Sequence, residues 1–229
     1  MAWGNRGGAV QNENQGRSVR ILPLGDSAIV VRFAAQLEDG ANRRALALAG
    51  RLGADPIAGV EDVVPSLVSV LVRYKPQAIA PDRLAGEIAL RLGRDQAPGT
   101  ARRHDIAVSF GGEDGPDLTN VADALGMTLA QFVARHNASR LRVLATGFAP
   151  GFVYCGFHPE DLVLPRRQQV RATVPAGSVL FAAGQTAIAA TDIPTGWSVI
   201  GRTAFRNFDP ARTPPLAMAA GDTIRFSAA

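Results

Sequence analysis

Between residues 144 and 203, glycine and proline recur between short apolar runs. The pattern starts at Leu144-Ala145-Thr146-Gly147-Phe148-Ala149-Pro150-Gly151-Phe152-Val153-Tyr154 and passes through Leu164-Pro165-Arg166-Arg167 and Val174-Pro175-Ala176-Gly177-Ser178-Val179. It ends with Gly184-Gln185-Thr186 and Gly196-Trp197-Ser198-Val199-Ile200-Gly201-Arg202-Thr203. A chain punctuated this densely must turn often and sharply, and the runs between turns have the length of strands. The stretch therefore predicts a strand-rich scaffold whose irregular loops carry the binding groups.

The chain before it reads differently. Val19–Leu24 and Ala28–Phe33 are expected strands joined by a Gly25-Asp26 turn. A helix is expected over Glu38–Leu52, because Ala41, Ala45, Leu48 and Leu52 share one face and Gly53 stands where a C-terminal cap belongs. Two more strands, Val60–Val64 and Leu67–Arg73, precede a helix over Pro81–Leu92 with proline in its first turn. The order ββ-α-ββ-α predicts an α+β layer domain over residues 18–94, after a polar, glycine-rich leader over 1–17 expected to be disordered. Residues 94–103, with Pro98-Gly99, read as a linker to a second domain over 104–229. That domain starts with a strand, His104–Phe110. Asp117 is expected to cap a helix ending at Gly126, and Thr128 with Gln131 forms a capping box for the next helix, which runs to about His136. The last strand is expected over Thr223–Ser227, after a Gly221-Asp222 turn.

Composition narrows the function classes. A chain of 229 residues, 47% hydrophobic, can bury a sizeable core. No apolar run approaches the roughly 18 residues of a membrane span, and the start has no apolar signal core. Cys155 is the only cysteine, which excludes an internal disulfide, fits a cytoplasmic protein and reads as a small buried hydrophobe. The net charge of +4 is spread evenly, without the basic stripe and interleaved aromatics of a nucleic-acid binder.

An ordered series of motifs resembles a known family. Gly147-Phe148-Ala149-Pro150-Gly151-Phe152-Val153-Tyr154, Pro165-Arg166-Arg167, Val174–Val179, Gly184-Gln185-Thr186, Gly196-Trp197, Ile200-Gly201-Arg202-Thr203 and Phe208-Asp209-Pro210-Ala211-Arg212 stand in the order found in the allophanate hydrolase subunit 1 family, which is also that of the 5-oxoprolinase B subunit. That family includes the sporulation kinase inhibitor KipI and is similar to one half of the carboxyltransferase domain of urea carboxylase (its subdomains C and D). The resemblance implies an N-terminal α+β domain followed by a mainly-β cyclophilin-like barrel. It also implies a component that opens 5-oxo-L-proline to L-glutamate with ATP and Mg, together with homologues of the A and C subunits of 5-oxoprolinase, with no metal or biotin held on this chain. A KipI-like regulator of a histidine kinase, and a urea-carboxylase-type carboxyltransferase partner, are the alternatives. The chain departs from the family at Ala187, Ala189 and Ala190, the second of which stands where tyrosine is common, and this predicts a roomier cleft.

Candidate site residues follow from chemistry. Arg166 and Arg167 can grip a carboxylate or phosphate through paired hydrogen bonds. Gln185 and Thr186 offer neutral donors and acceptors for a small amide substrate. Tyr154 and Trp197 are candidate walls, and Pro150-Gly151 invites a special backbone that could let a ligand approach. Phe152 joins the apolar side, although core packing is the default for it and for Phe148. His136, at a predicted helix end, is either a dipole partner or a base. His158 has no counterpart in the family pattern. There is no phosphate loop, nucleophile elbow or metal-ligand spacing. The chain alone is therefore expected to be inactive. The loops bearing Gly147–Tyr154, Arg166-Arg167 and Gln185-Thr186 are expected to meet in one cleft.

Overall fold

The computed structural model describes residues 19–93 and 101–229. The expected leader over 1–17, and residues 94–100 of the expected linker, lie outside the described residues. The chain divides into two compact units, Met1–Gly99 and Thr100–Ala229.

The first unit holds β1 (Arg20–Pro23), β2 (Ala28–Arg32), α1 (Asp39–Ala54), β3 (Val60–Pro65), β4 (Ser69–Tyr74) and α2 (Pro81–Ala89). Its sheet has the order β1-β2-β4-β3 with every pair antiparallel. Strand periodicity of two places Ile29, Val31, Val70, Val72 and Tyr74 on one face. Helix periodicity places Ala41, Ala45, Leu48 and Leu52 of α1, and Leu84 and Ile88 of α2, against them in one core. Two helix ends differ from expectation. Gly53 does not cap α1, which continues to Ala54 and closes with the Asp55 N–H on the Arg51 carbonyl. Glycine inside a helix costs only about 1 kcal/mol, less than burying the Leu48 and Leu52 face returns. Helix α2 stops at Ala89 rather than Leu92, and Gly93 follows at φ +76°.

The second unit is a closed barrel. Its elements are β5 (Arg103–Phe110), α3 (Leu118–Ala124), α4 (Leu129–Ala138), β6 (Leu141–Thr146), β7 (Val153–Gly156), β8 (Arg171–Val174), β9 (Ser178–Ala182), β10 (Gln185–Ile188), β11 (Ile193–Thr195), β12 (Ser198–Arg202) and β13 (Thr223–Ala228). Seven strands close in the order β10-β7-β6-β13-β5-β12-β9, while β8 and β11 form a separate pair. Pairing around the barrel is antiparallel except between β13 and β5, which run parallel with Thr223 opposite Arg103 and Phe226 opposite Ile106. Closure removes the exposed edges that an open sheet of this size would carry.

Alternation sorts the barrel residues into two cores. Ile106, Val143, Val153, Cys155, Phe181, Ile188, Ile200 and Phe226, contributed by all seven strands, fill the interior. Leu118, Val121 and Ala122 of α3 and Phe132 of α4 join them. The opposite faces of β7, β9, β10 and β12 hold a second cluster with Phe152, Leu180, Ala187, Ala189, Trp197 and Val199, packed against Val174 of β8 and Ile193 of β11. Helix α4 has the expected capping box. The Thr128 hydroxyl accepts from the Gln131 N–H, and the Gln131 side chain accepts from the Thr128 N–H. Asp117 occupies the N-cap position of α3 but makes no side-chain cap; its carboxylate is engaged elsewhere. Among the described residues no helix is long and apolar enough to cross a membrane.

Candidate functional site

The expected single cleft resolves into three separate settings. The first is a row of aromatic rings on the outer face of β7. Phe148 meets Phe152 at 5.6 Å between ring centroids, Phe152 meets Tyr154 at 4.7 Å and Tyr154 meets Trp197 at 6.1 Å, all edge-to-face. The Arg166 guanidinium closes the row 5.8 Å from the Trp197 ring centroid, within the range of a cation–π contact. Burial raises the Tyr154 phenol above its usual value, and the positive charge of Arg166 works against that rise. Phe152 is buried, whereas Phe148 is 71% exposed, so the expectation of core packing holds for the first and fails for the second. Phe148 also sits at φ +80°, a conformation costly for a bulky side chain. The ring at the open end of the row is thus held out by a strained backbone.

The loop before β7 explains Gly151. It adopts φ +70°, and a Cβ there would fall 2.4 Å from the Phe208 Cβ and 2.8 Å from the Ala190 Cβ. Asn207 Nδ2 donates to the Gly151 carbonyl at 2.9 Å. The close approach is made by the protein's own 207–208 segment rather than left open for a ligand. Pro150, just before it, is exposed, and the Ala149-Pro150 bond is trans. Gly151→Ala is expected to cost about 2 kcal/mol or more, from positive-φ strain plus overpacking. A denaturant midpoint equal to wild type would contradict this account.

Gln185 faces the same side of the sheet as Tyr154, since Ala187, two residues along β10, pairs with Tyr154. It is 4% exposed, and its Nε2 has no hydrogen-bond partner among the described residues. A buried donor left unpaired costs about 1–3 kcal/mol, so this amide is a group awaiting an acceptor. Ala187 and Ala189 are fully buried in the cluster that holds Phe152 and Trp197.

The second setting is inside the barrel. Thr186, one residue from Gln185, points the other way and is fully buried. Its hydroxyl lies 2.8 Å from His136 Nε2 and 2.8 Å from His158 Nε2. His136 Nδ1 is 2.9 Å from Asn137 Oδ1, and His158 Nδ1 is 2.9 Å from the Ser139 hydroxyl. The proton positions follow by elimination. Asn137 Oδ1 can only accept, so His136 carries its proton on Nδ1 and accepts at Nε2. Thr186 has one proton and gives it to His136, so His158 Nε2–H donates to Thr186 and Ser139 donates to His158 Nδ1. Burial pulls both rings down, His136 to about 4 and His158 to about 3, so both are neutral near pH 7. His136 and Thr186 therefore meet in the core and not on the aromatic face. Sequence reasoning set His158 aside for want of a family counterpart; it lies just after β7, and its contact with Thr186, 28 residues away, had no local signal.

The third setting holds Arg167. Its Nη1 and the Nη2 of Arg171 both reach Asp117 Oδ1, while Asp117 Oδ2 accepts the Val199 N–H at 2.8 Å. Burial pushes the Asp117 carboxyl up, but the Arg171 bond, the Val199 bond and the two guanidinium charges outweigh it and hold the group below its ordinary value. Arg167 is thus committed to a structural carboxylate, and of the adjacent arginine pair only Arg166 faces the aromatic row. Cys155 lies in the barrel interior, and burial pushes its thiol well up, which keeps it protonated and unreactive. Among the described residues no group of three or more His, Cys, Asp or Glu is arranged to hold a metal ion.

The family profile described as "Carboxyltransferase domain, subdomain C and D" matches residues 19–218. The chain belongs to this family. It is 35% identical over 212 residues to the B subunit of 5-oxoprolinase from Escherichia coli O157:H7, covering 90% of this chain and 94% of that one. It is 31% identical over 219 residues to the B subunit of 5-oxoprolinase from Bacillus subtilis (strain 168), covering 90% and 91%. Among solved structures, TTHA0988 superposes with a TM-score of 0.78 at 35% identity over 88% of this chain; the match spans 40% of the longer TTHA0988 chain. The K. lactis urea amidolyase superposes with a TM-score of 0.80 over 96% of this chain and 15% of that one. At 15% identity this second likeness speaks for the fold alone.

Proposed function

We propose that this chain is the B subunit of an ATP-dependent 5-oxoprolinase, with a cyclophilin-like barrel that contributes one wall of a substrate site completed by partner proteins. The reading rests on near full-length similarity to proteins named as the B subunit of 5-oxoprolinase, and one structural observation carries it. The aromatic row ends in Arg166, and the same side of the sheet holds the unsatisfied Gln185 amide. A small cyclic amide with a carboxylate needs those elements: apolar walls for the ring, a guanidinium for the carboxylate and an N–H donor for the lactam oxygen. An unstrained lactam resists water. Transfer of the ATP γ-phosphoryl group to the lactam oxygen would create a better electrophile. Water adds at that carbon, and the ring C–N bond breaks as the nitrogen takes up a proton and leaves as the amine. A second water hydrolyses the resulting acyl phosphate to the glutamate carboxylate and phosphate. ATP and its Mg would be handled by the assembled complex.

The test is reconstitution with homologues of the A and C subunits, followed by assay of ATP-dependent glutamate release. Arg166→Ala is expected to lower kcat/KM by about 10- to 100-fold, the value of a charge-assisted hydrogen bond, and the purified chain alone is expected to release no glutamate. Unchanged kcat/KM in Arg166→Ala, or glutamate release by this chain without partners, would overturn the reading.

A further inference from the structure

A cavity of about 490 Å³ opens where the end of α4 meets the starts of β5 and β13. Arg103, Asn137, Ser139, Arg140, Thr223 and Arg225 line it, and none of them belongs to the aromatic row. Arginine dominates its lining. Arg103 is paired with Asp105 at 2.9 Å, and Asp105 stands opposite Arg225 in the β5–β13 register, but Arg140 and Arg225 make no side-chain hydrogen bond or ion pair among the described residues. The lining therefore carries at least two arginines without an ion-pair partner. The C-terminal end of α4 opposes an anion through its dipole, but that effect is about 0.3–1 kcal/mol at a partly exposed end, less than one charge-assisted hydrogen bond supplies.

The neutral groups point to the same kind of ligand. Asn137 and Ser139 are the two ends of the buried chain of hydrogen bonds through His136, Thr186 and His158. Asn137 spends its oxygen on His136, which leaves its Nδ2 donors for the cavity. Ser139 gives its proton to His158 Nδ1 at 2.9 Å, the Arg135 carbonyl at 3.4 Å being the more distant acceptor. The Asn137 amide is thus fixed as a donor by groups deep in the barrel. Guanidiniums with a fixed amide donor suit a ligand made of acceptors, and two unpaired arginines with that amide exceed what one carboxylate uses.

We propose that this cavity binds a phosphate group, either free phosphate or the terminal group of a small organic phosphate, and that its occupancy is sensed by the two buried histidines. The inference is independent of the 5-oxoprolinase reading. The full chain is titrated at low ionic strength with inorganic phosphate and, separately, with glycerol phosphate. Binding is followed by calorimetry and by the ring ¹⁵N resonances of ¹⁵N-histidine-labelled protein. Saturable binding with a Kd of about 1 mM or tighter is expected. Arg140→Ala and Arg225→Ala should each weaken it about tenfold, consistent with loss of one charge-assisted contact, without altering thermal stability. Saturation should shift the His136 and His158 ring signals. Tighter binding of glycerol phosphate identifies an organic phosphate as the better ligand, and equal binding identifies free phosphate; both support the site. No saturation by roughly 20 mM, more than tenfold above the expected Kd, would overturn the proposal. So would affinity unchanged in the Arg140→Ala/Arg225→Ala double variant, or ring signals that stay still at saturation.

Discussion

Asp117→Ala is expected to destabilise the barrel unit by about 2–4 kcal/mol, somewhat below the roughly 3–5 kcal/mol for breaking a buried ion pair by removing one partner, because the arginines are partly exposed. The side chain of Asp117 is 3% exposed, and those of Arg167 and Arg171 are 28% and 35% exposed. Truncation leaves two guanidiniums facing each other, with their Nε atoms already buried and unpaired, and orphans the Val199 N–H. Asp117→Asn keeps an acceptor for Val199 but loses the charge, so its loss should be intermediate. A functional consequence follows from the chain path. The Arg167 N–H also donates to the Gly196 carbonyl at 2.7 Å, and the sequence neighbours of these two residues, Arg166 and Trp197, are the pair that closes the aromatic row. Loosening Arg167 should therefore lower the activity of the reconstituted complex in Asp117→Asn even where the protein remains folded. Denaturant titration followed by tryptophan fluorescence reads the stability. A midpoint within error of wild type for Asp117→Ala would show that the cluster is not a structural anchor.

How much of this was legible in the sequence depended on range. Local signals worked: the Thr128–Gln131 capping box, the ββ-α-ββ-α order and the glycine turns all rest on interactions within a few residues. The family motifs marked the segments that carry Tyr154, Arg166 and Trp197. Non-local choices were not legible. The barrel closes through the parallel β5–β13 pair, which joins Arg103 to Thr223 with no local sign in either strand. Asp117 looked like a cap because caps are local, yet its two arginine partners lie 50 and 54 residues away. Gln185 and Thr186 were expected in one cleft because they are adjacent, but adjacent residues on a strand face opposite sides. That alternation sends Thr186 to the histidines and Gln185 to the aromatic face.

The buried histidines set the acid limit of the fold. Both rings have an ordinary value of 6.5 and are lowered by burial, to about 4 for His136 and about 3 for His158. For His158 the neighbouring His136 adds to the lowering, while the Asp161 carboxylate works against it. Between the unfolded and folded values the unfolded chain binds protons that the folded chain refuses, so stability rises with pH across that window. It is fully present above about pH 6.5 and falls as the pH drops toward 4. One unit is worth about 1.4 kcal/mol, so each histidine withdraws on the order of 2–3 kcal/mol by about pH 4.5. That is a large share of the 5–15 kcal/mol typical of a domain. Asp117, Asp161 and Asp222 act in a different window. Their carboxyls are held below the ordinary 3.8, so their contribution is lost only as the pH falls further. Urea unfolding measured between pH 7.5 and 4.5 is therefore expected to show a steep fall starting near 6.5, and His158→Asn should flatten it by removing one of the two groups while keeping a polar partner for Thr186. A wild-type curve flat down to about pH 4.5 would mean that the histidines accept protons in the folded barrel. In that case the neutral hydrogen-bond chain through Thr186 is not the state the protein holds.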